Sequence, residues 1–213
     1  MSTLAIIGSA GRGSDGDKLR TNPAYWRMMS VIAQTVTCVI QPTRLVSGGA
    51  AFSDHLAVQL YLAGAVKDLS LHFPCPFRAD GKGFVESFDK FCPGRTASYY
   101  HRLFSAATGQ DSLAQLAEAM TKGAIVKVNP GGFKARNSDV ANEAEALLAF
   151  TFGEAGQPGL KDGGTANTVA KFLARSSALM EREPMVNAGG EVQYPEPLPA
   201  YHFNLTDRVL YRL

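Results

Sequence analysis

The residues of this chain best suited to chemistry sit in glycine-rich turns that follow apolar runs. Leu4-Ala5-Ile6-Ile7 leads into Gly8-Ser9-Ala10-Gly11-Arg12-Gly13, and Leu45-Val46-Ser47 leads into Gly48-Gly49-Ala50-Ala51-Phe52-Ser53-Asp54-His55. A looser instance runs from Ala146 to Gly153, crosses a polar loop and reaches Gly163-Gly164-Thr165-Ala166-Asn167-Thr168. Strand, glycine turn and helix N-terminus together make an anion site, because outward N–H groups and the helix dipole favour negative charge and glycine admits a phosphate closely. Gly8, Ser9, Gly11, Gly48, Gly49 and Gly164 are thus candidates for backbone contact with a phosphate-bearing ligand, and Thr165 and Thr168 for hydroxyl contact. Arg12 adds a movable cation. Arg136-Asn137-Ser138 adds a planar guanidinium fork and an amide able to serve a ribose or the backbone. Asp54 could accept from ribose hydroxyls, or simply favour the positive end of a helix. Each turn also has a plain structural reading as a tight β–α connection or an N-cap.

Several familiar chemistries are excluded. The first turn is not G-x-G-x-x-G, and no acidic residue ends the second strand to hold a ribose, which argues against a standard dinucleotide dehydrogenase. No Gly-Lys-Ser/Thr follows, so it is not a P-loop. Cys38, Cys75 and Cys92 are well separated and form no C-x-x-C pair, which argues against a disulfide framework or structural zinc; they are expected to be buried and inert. His72, three residues before Cys75, would be half a metal site with no second half, and His55 reads as a packed or solvated histidine. No metal or cofactor is expected. The 213 residues fit one sizeable α/β domain, and a net charge of +2 is too small to make nucleic acid the main partner. No apolar stretch approaches the roughly 20 residues of a membrane span, and no basic leader precedes the first strand, so the expected location is cytoplasmic.

The elements that must position these residues alternate. Strands are expected at Leu4–Gly8, Thr43–Ser47, Leu69–Phe73, Ala124–Val128 and Ala146–Phe152. Helices are expected at Ala24–Val36, from Asp54 to Ala65 with Ser53 as N-cap, at Arg95–Ala107 and Ser112–Thr121, from Ser138 as cap to Glu145, and at Thr165–Met180. Such alternation predicts an α/β fold: one Rossmann-like domain with a mostly parallel central sheet and helices on both faces, ligands binding at the carboxyl ends of the strands. This domain is expected over residues 1–183. Residues 184–213 form a C-terminal extension adding an edge strand at Tyr201–Leu205. The stretch 76–110, with Phe84, Phe88, Phe91, Arg95, Tyr99, Tyr100 and Arg102, is either a lid over a base or a face for a second copy.

Taken together, Val46-Ser47-Gly48-Gly49-Ala50 through Asp54-His55-Leu56-Ala57, Arg136-Asn137 with Val140-Ala141, and Gly163-Gly164-Thr165 with Thr168 resemble the SLOG superfamily. That group includes DNA-processing protein A, the Lonely Guy phosphoribohydrolases and the YspA/YpsA-like proteins; Tyr201-His202-Phe203-Asn204-Leu205 is most similar to the closing strand of YpsA-like members. The resemblance spans residues 4 to about 175. It implies a Rossmannoid, nucleotide-binding, often homo-oligomeric protein. Lonely Guy enzymes cleave the N-glycosidic bond with a glutamate soon after a Gly-Gly-x-Gly-Thr turn. Here Gly164-Thr165-Ala166-Asn167-Thr168 has no carboxylate. Glycosidic cleavage needs a carboxylate or another base near the sugar, and only Asp54 or Glu143, one helical turn beyond Asp139, is a candidate to replace it. Binding of an ADP-ribose or cyclic-nucleotide type ligand for sensing or sequestration is therefore the first expectation. Nucleoside 5′-monophosphate N-glycosidase activity is the alternative, and a DNA-associated role is disfavoured by the low charge.

Overall fold

The computed structural model describes residues 2–86, 93–182, 184–186 and 192–213; Phe88, Phe91 and Cys92 lie outside the described residues. The strands are β1 (Thr3–Gly8), β2 (Arg44–Ser47), β3 (Asp68–Phe73), β4 (Ile125–Val128), β5 (Ala146–Thr151), β6 (Met185–Val186), β7 (Val192–Gln193), β8 (Ala200–Asn204) and β9 (Val209–Arg212). The helices are α1 (Gly13–Thr21), α2 (Pro23–Ile40), α3 (His55–Leu62), α4 (Gly94–Thr108), α5 (Ser112–Thr121), α6 (Gly132–Glu143) and α7 (Gly164–Met180). Seven strands form one sheet in the order β4-β3-β2-β1-β5-β8-β9, while β6 and β7 make a small separate ribbon. All neighbours in the large sheet are parallel except β8 and β9. The fold is therefore α/β with a single, mostly parallel, Rossmann-like sheet.

The apolar runs explain which strands lie inside. Every residue of β5 is buried, and β1 and β2 are nearly so, whereas the edge strands β4 and β9 are largely exposed. Alternate residues feed two cores. Leu4, Ile6, Leu45, Leu69, Leu71, Phe73, Leu148 and Phe150 pack with Trp26, Met29 and Ala33 of α2, Leu56 of α3, Phe104 of α4 and Leu116 of α5. Ala5, Ile7, Val46, Leu147 and Ala149 pack with Val140 and Ala141 of α6 and Val169 and Phe172 of α7. Helices thus cover both faces, as parallel crossovers require.

The local differences from sequence expectation have identifiable causes. Ser53 does not cap α3. A 3-10 turn over Phe52–Asp54 intervenes, and the Ser53 hydroxyl donates instead to the Ser9 carbonyl at 3.2 Å. Ser138 lies inside α6, whose start six residues earlier is set by Asn129: its side chain accepts from Gly131 N–H at 2.9 Å and its carbonyl from Gly132 N–H at 3.2 Å. Helix α1, rich in glycine and aspartate, carries almost no periodicity and forms against the core through Leu19. Cys75 is buried as expected, but Cys38 is exposed on the outward side of α2. Tyr201–Leu205 is not the sheet edge: β8 lies between β5 and β9, and β9 takes the edge.

Candidate functional site

Strand order reverses between β1 and β5, and the chain opens a crevice there at their carboxyl ends. The crevice is a cavity of about 400 Å³, within the usual range for a small-molecule site. Of the residues expected from sequence to bind a ligand, Gly8, Ser9, Arg12, Gly48, Asp54, Arg136, Asn137, Gly164, Thr165 and Thr168 line it. Gly49 lies on an adjoining apolar slot with Tyr100 and Phe84. Gly11 lines neither; its α-carbon sits against the Phe52 ring. Glu143 is outside the cavity. It closes α6 at the opposite end, where it accepts from His72 Nε2 at 2.8 Å and Lys127 Nζ at 2.6 Å. Burial alone would raise its carboxyl, but these donors hold it at about 2. Asp139 accepts from Asn129 at 2.7 Å.

At the floor stands a buried ion pair. Asp54 Oδ1 accepts from Gly8 N–H at 3.1 Å, and Arg136 lies 3.4 Å from Asp54 Oδ2 while also donating to the Gly48 carbonyl. Burial pushes the Asp54 carboxyl up, opposed by the Arg136 charge and by the Ala50 and Gly8 amides. Burial likewise pulls the Arg136 guanidinium down, opposed by Asp54. The glycines here make room. A Cβ on Gly8 would strike the Phe150 carbonyl and come within 2.6 Å of Ser53 Cβ. Gly49, at φ +63°, faces the Phe73 ring.

Following each backbone N–H changes where an anion can sit. In the first turn, Gly8 N–H goes to Asp54, Ser9 N–H to the Phe150 carbonyl at 2.9 Å, and Gly11 N–H to Ser9 Oγ at 3.4 Å. In the second, Gly49 N–H goes to Ser47 Oγ at 3.1 Å and Ala50 N–H to Asp54. These amides are spent on the protein itself. The first turns of α1 and α7, whose leading amides have no partner within the helix, bring Gly13 and Asp15, and Gly164 and Thr165, to the cavity wall. Asn137 Nδ2 and Thr168 Oγ1 both donate to the Gly164 carbonyl, at 3.1 and 3.0 Å, so they brace the start of α7 instead of offering those protons to a ligand.

The rim carries charges of both signs and aromatic rings. Arg12 lies between the rings of Phe133, 4.9 Å away, and Tyr100, 5.4 Å away, with no carboxylate within ion-pair distance among the described residues. Lys161, from the loop after β5, pairs with Asp15 at 3.0 Å across the mouth. Beneath the second turn, His101 bonds to the Gly49 carbonyl and to Ser112 Oγ, both at 3.0 Å, and its ring meets that of His55. Burial lowers His101 to about 3 and His55 to about 4, so both are neutral packing groups near pH 7. Among the described residues no cluster of three His, Cys, Asp or Glu is placed to hold a metal ion, and no helix is long and apolar enough to cross a membrane.

Sequence reasoning missed Thr151, Phe133, Lys161, Asp15 and Asp162, which also line the cavity. Thr151 had a signal: it is the polar residue that ends the buried β5 run at the carboxyl edge of the sheet. Phe133 had none. No family model matches the chain. It is similar to the uncharacterized protein R261 of Acanthamoeba polyphaga mimivirus, with 31% identity over 164 residues, covering 75% of this chain and 87% of the viral protein.

Proposed function

We propose that this chain, which belongs to one family with the uncharacterized mimivirus protein, binds a phosphate-bearing nucleotide or nucleotide-derived signal for sensing or sequestration. The observation that carries the reading is the convergence of two helix N-termini, those of α1 and α7, on one cavity at the strand-order reversal. The phosphate belongs at those first turns beside Thr165, with Arg12 swinging in from the rim. The sugar belongs deeper, near Asp54, and a base can stack on Phe133 or Tyr100 where Arg12 now lies. An ADP-ribose or cyclic-nucleotide type ligand fits this division, and membership of the SLOG superfamily, with a homo-oligomeric cytoplasmic protein, goes with it.

The N-glycosidase alternative draws less support. Glu143 is remote, and Asp54 already accepts from Gly8, Ala50 and Arg136. The test is equilibrium binding to nucleoside monophosphates, NAD, ADP-ribose and cyclic nucleotides, with the ligand recovered and weighed by mass spectrometry. Intact ligand is expected. Free base with ribose phosphate would install the hydrolase reading in its place, and no binding to any of them would remove both.

A further inference from the structure

Thr151 reaches the cavity from the end of β5 and is tied behind it to the C-terminal strand β8. Its Oγ1 lies 2.8 Å from His202 Nε2, and His202 Nδ1 lies 2.9 Å from the Pro158 carbonyl. A carbonyl can only accept, so Nδ1 carries the hydrogen of this fully buried imidazole. Burial lowers the affinity of His202 for a second proton, opposed by the backbone of Pro158 and of Thr151 and by the Asp207 charge. In the neutral ring Nε2 is then an acceptor, and the hydrogen between it and Thr151 must come from the threonine hydroxyl. With that proton committed, the hydroxyl oxygen of Thr151, a residue of the cavity wall, can only accept from a ligand.

We infer that Thr151, held by His202, recognises a sugar hydroxyl of the bound nucleotide, accepting a hydrogen bond from it and offering none to phosphate. The inference rests on the nucleotide reading above and fixes which way round the ligand lies. Phosphate oxygens accept only, so they are turned away from Thr151 toward the α1 and α7 N-termini, while ribose donates into the Thr151 end. His202 acts through Thr151 and is a positioning residue. The supports behind it agree: Asn204, two residues along β8, accepts from Gly153 N–H at 3.1 Å and donates to the Glu154 carbonyl at 2.8 Å. These bonds pin the loop that carries Pro158.

The experiment has two readouts. Nitrogen-15 NMR of the full chain near pH 7 reports the tautomer of His202, assigned by the resonances that move in Thr151→Val. A protonated Nδ1 with bare Nε2 is expected, and the opposite tautomer would overturn the inference, because the threonine proton would then face the ligand. Calorimetry then compares AMP with its 2′-deoxy and 3′-deoxy counterparts. Wild type is expected to lose roughly three- to tenfold in affinity for one deoxy nucleotide. Thr151→Val should bind AMP more weakly by a similar factor and lose the discrimination, and Thr151→Ser should restore it. Discrimination that is absent from wild type, or that persists in Thr151→Val, overturns this assignment while leaving nucleotide binding intact. Failure of wild type to bind any of the three overturns the assignment; the nucleotide reading beneath it falls only if NAD, ADP-ribose and the cyclic nucleotides go unbound as well.

Discussion

Arg136 shows how a residue chosen for its reach toward a ligand can be partly committed inside the protein. Its Nη1 is held by Gly48 and Asp54 at the cavity floor and the guanidinium lies 5.6 Å from the Phe133 ring, while Nε is buried without a partner among the described residues. Arg136→Ala would leave the Asp54 carboxylate buried without its cation. A loss of about 3–5 kcal/mol in unfolding free energy is expected, on the scale of breaking a buried ion pair. Urea denaturation checks it. A variant as stable as wild type would mean that water solvates Asp54 and that the floor is open.

Among the elements, a close tolerance lies where β1 runs past β5. Gly8 passes so near the Phe150 carbonyl that any side chain there must push the two central strands apart. Gly8→Ala is expected to cost about 1–3 kcal/mol through overpacking and to weaken ligand binding by tilting Asp54, whose Oδ1 that same amide holds. Unchanged stability and affinity would show that the strand pair yields freely. The β5–α7 loop depends on β8 in a comparable way. Asn204→Ala removes acceptors for Gly153 and Thr206 and a donor to Glu154, a loss of about 1–3 kcal/mol for these partly buried bonds. Hydrogen exchange should then speed up across 153–158 while the amides of β1 stay protected; uniform loss of protection would instead mean that the whole sheet depends on Asn204.

Across the whole molecule, acid should act through the buried imidazoles. His55 and His101 have native values of about 4 and about 3 against an ordinary 6.5, the cause being burial. As pH falls below 6.5 the unfolded chain takes up both protons and the native chain does not. Stability therefore declines from about pH 6.5 toward pH 4, by up to about 1.4 kcal/mol per pH unit for each histidine. Glu143 works lower and in the same direction: its native value of about 2 lies below the ordinary 4.5, so its contribution is complete above pH 4.5 and lost as pH falls through 2. Urea midpoints measured between about pH 7 and pH 4 test this slope. A flat profile there would mean that His55 and His101 are reached by water and titrate normally.

Much of this architecture is written locally. Apolar runs such as Leu4–Ile7 and Ala146–Phe150, each followed by a glycine turn, determine buried parallel strands and the sheet edge on which a ligand can sit, because burial on both faces needs continuous apolar sequence and a tight turn needs glycine. The clustering of Asp54, Arg136 and Gly164 in one cavity follows from that shared edge. What the sequence could not determine is which groups remain available there. The amides of Gly8 and Ser9 are taken by partners far along the chain, Glu143 is drawn by Lys127 and His72 to the opposite end of α6, and Thr151 receives its orientation from a histidine 51 residues away. Hydrophobic periodicity records which face a residue turns to the core. Hydrogen bonds between distant segments, which fix the polarity and free capacity of each polar atom, exist only once the strands are side by side.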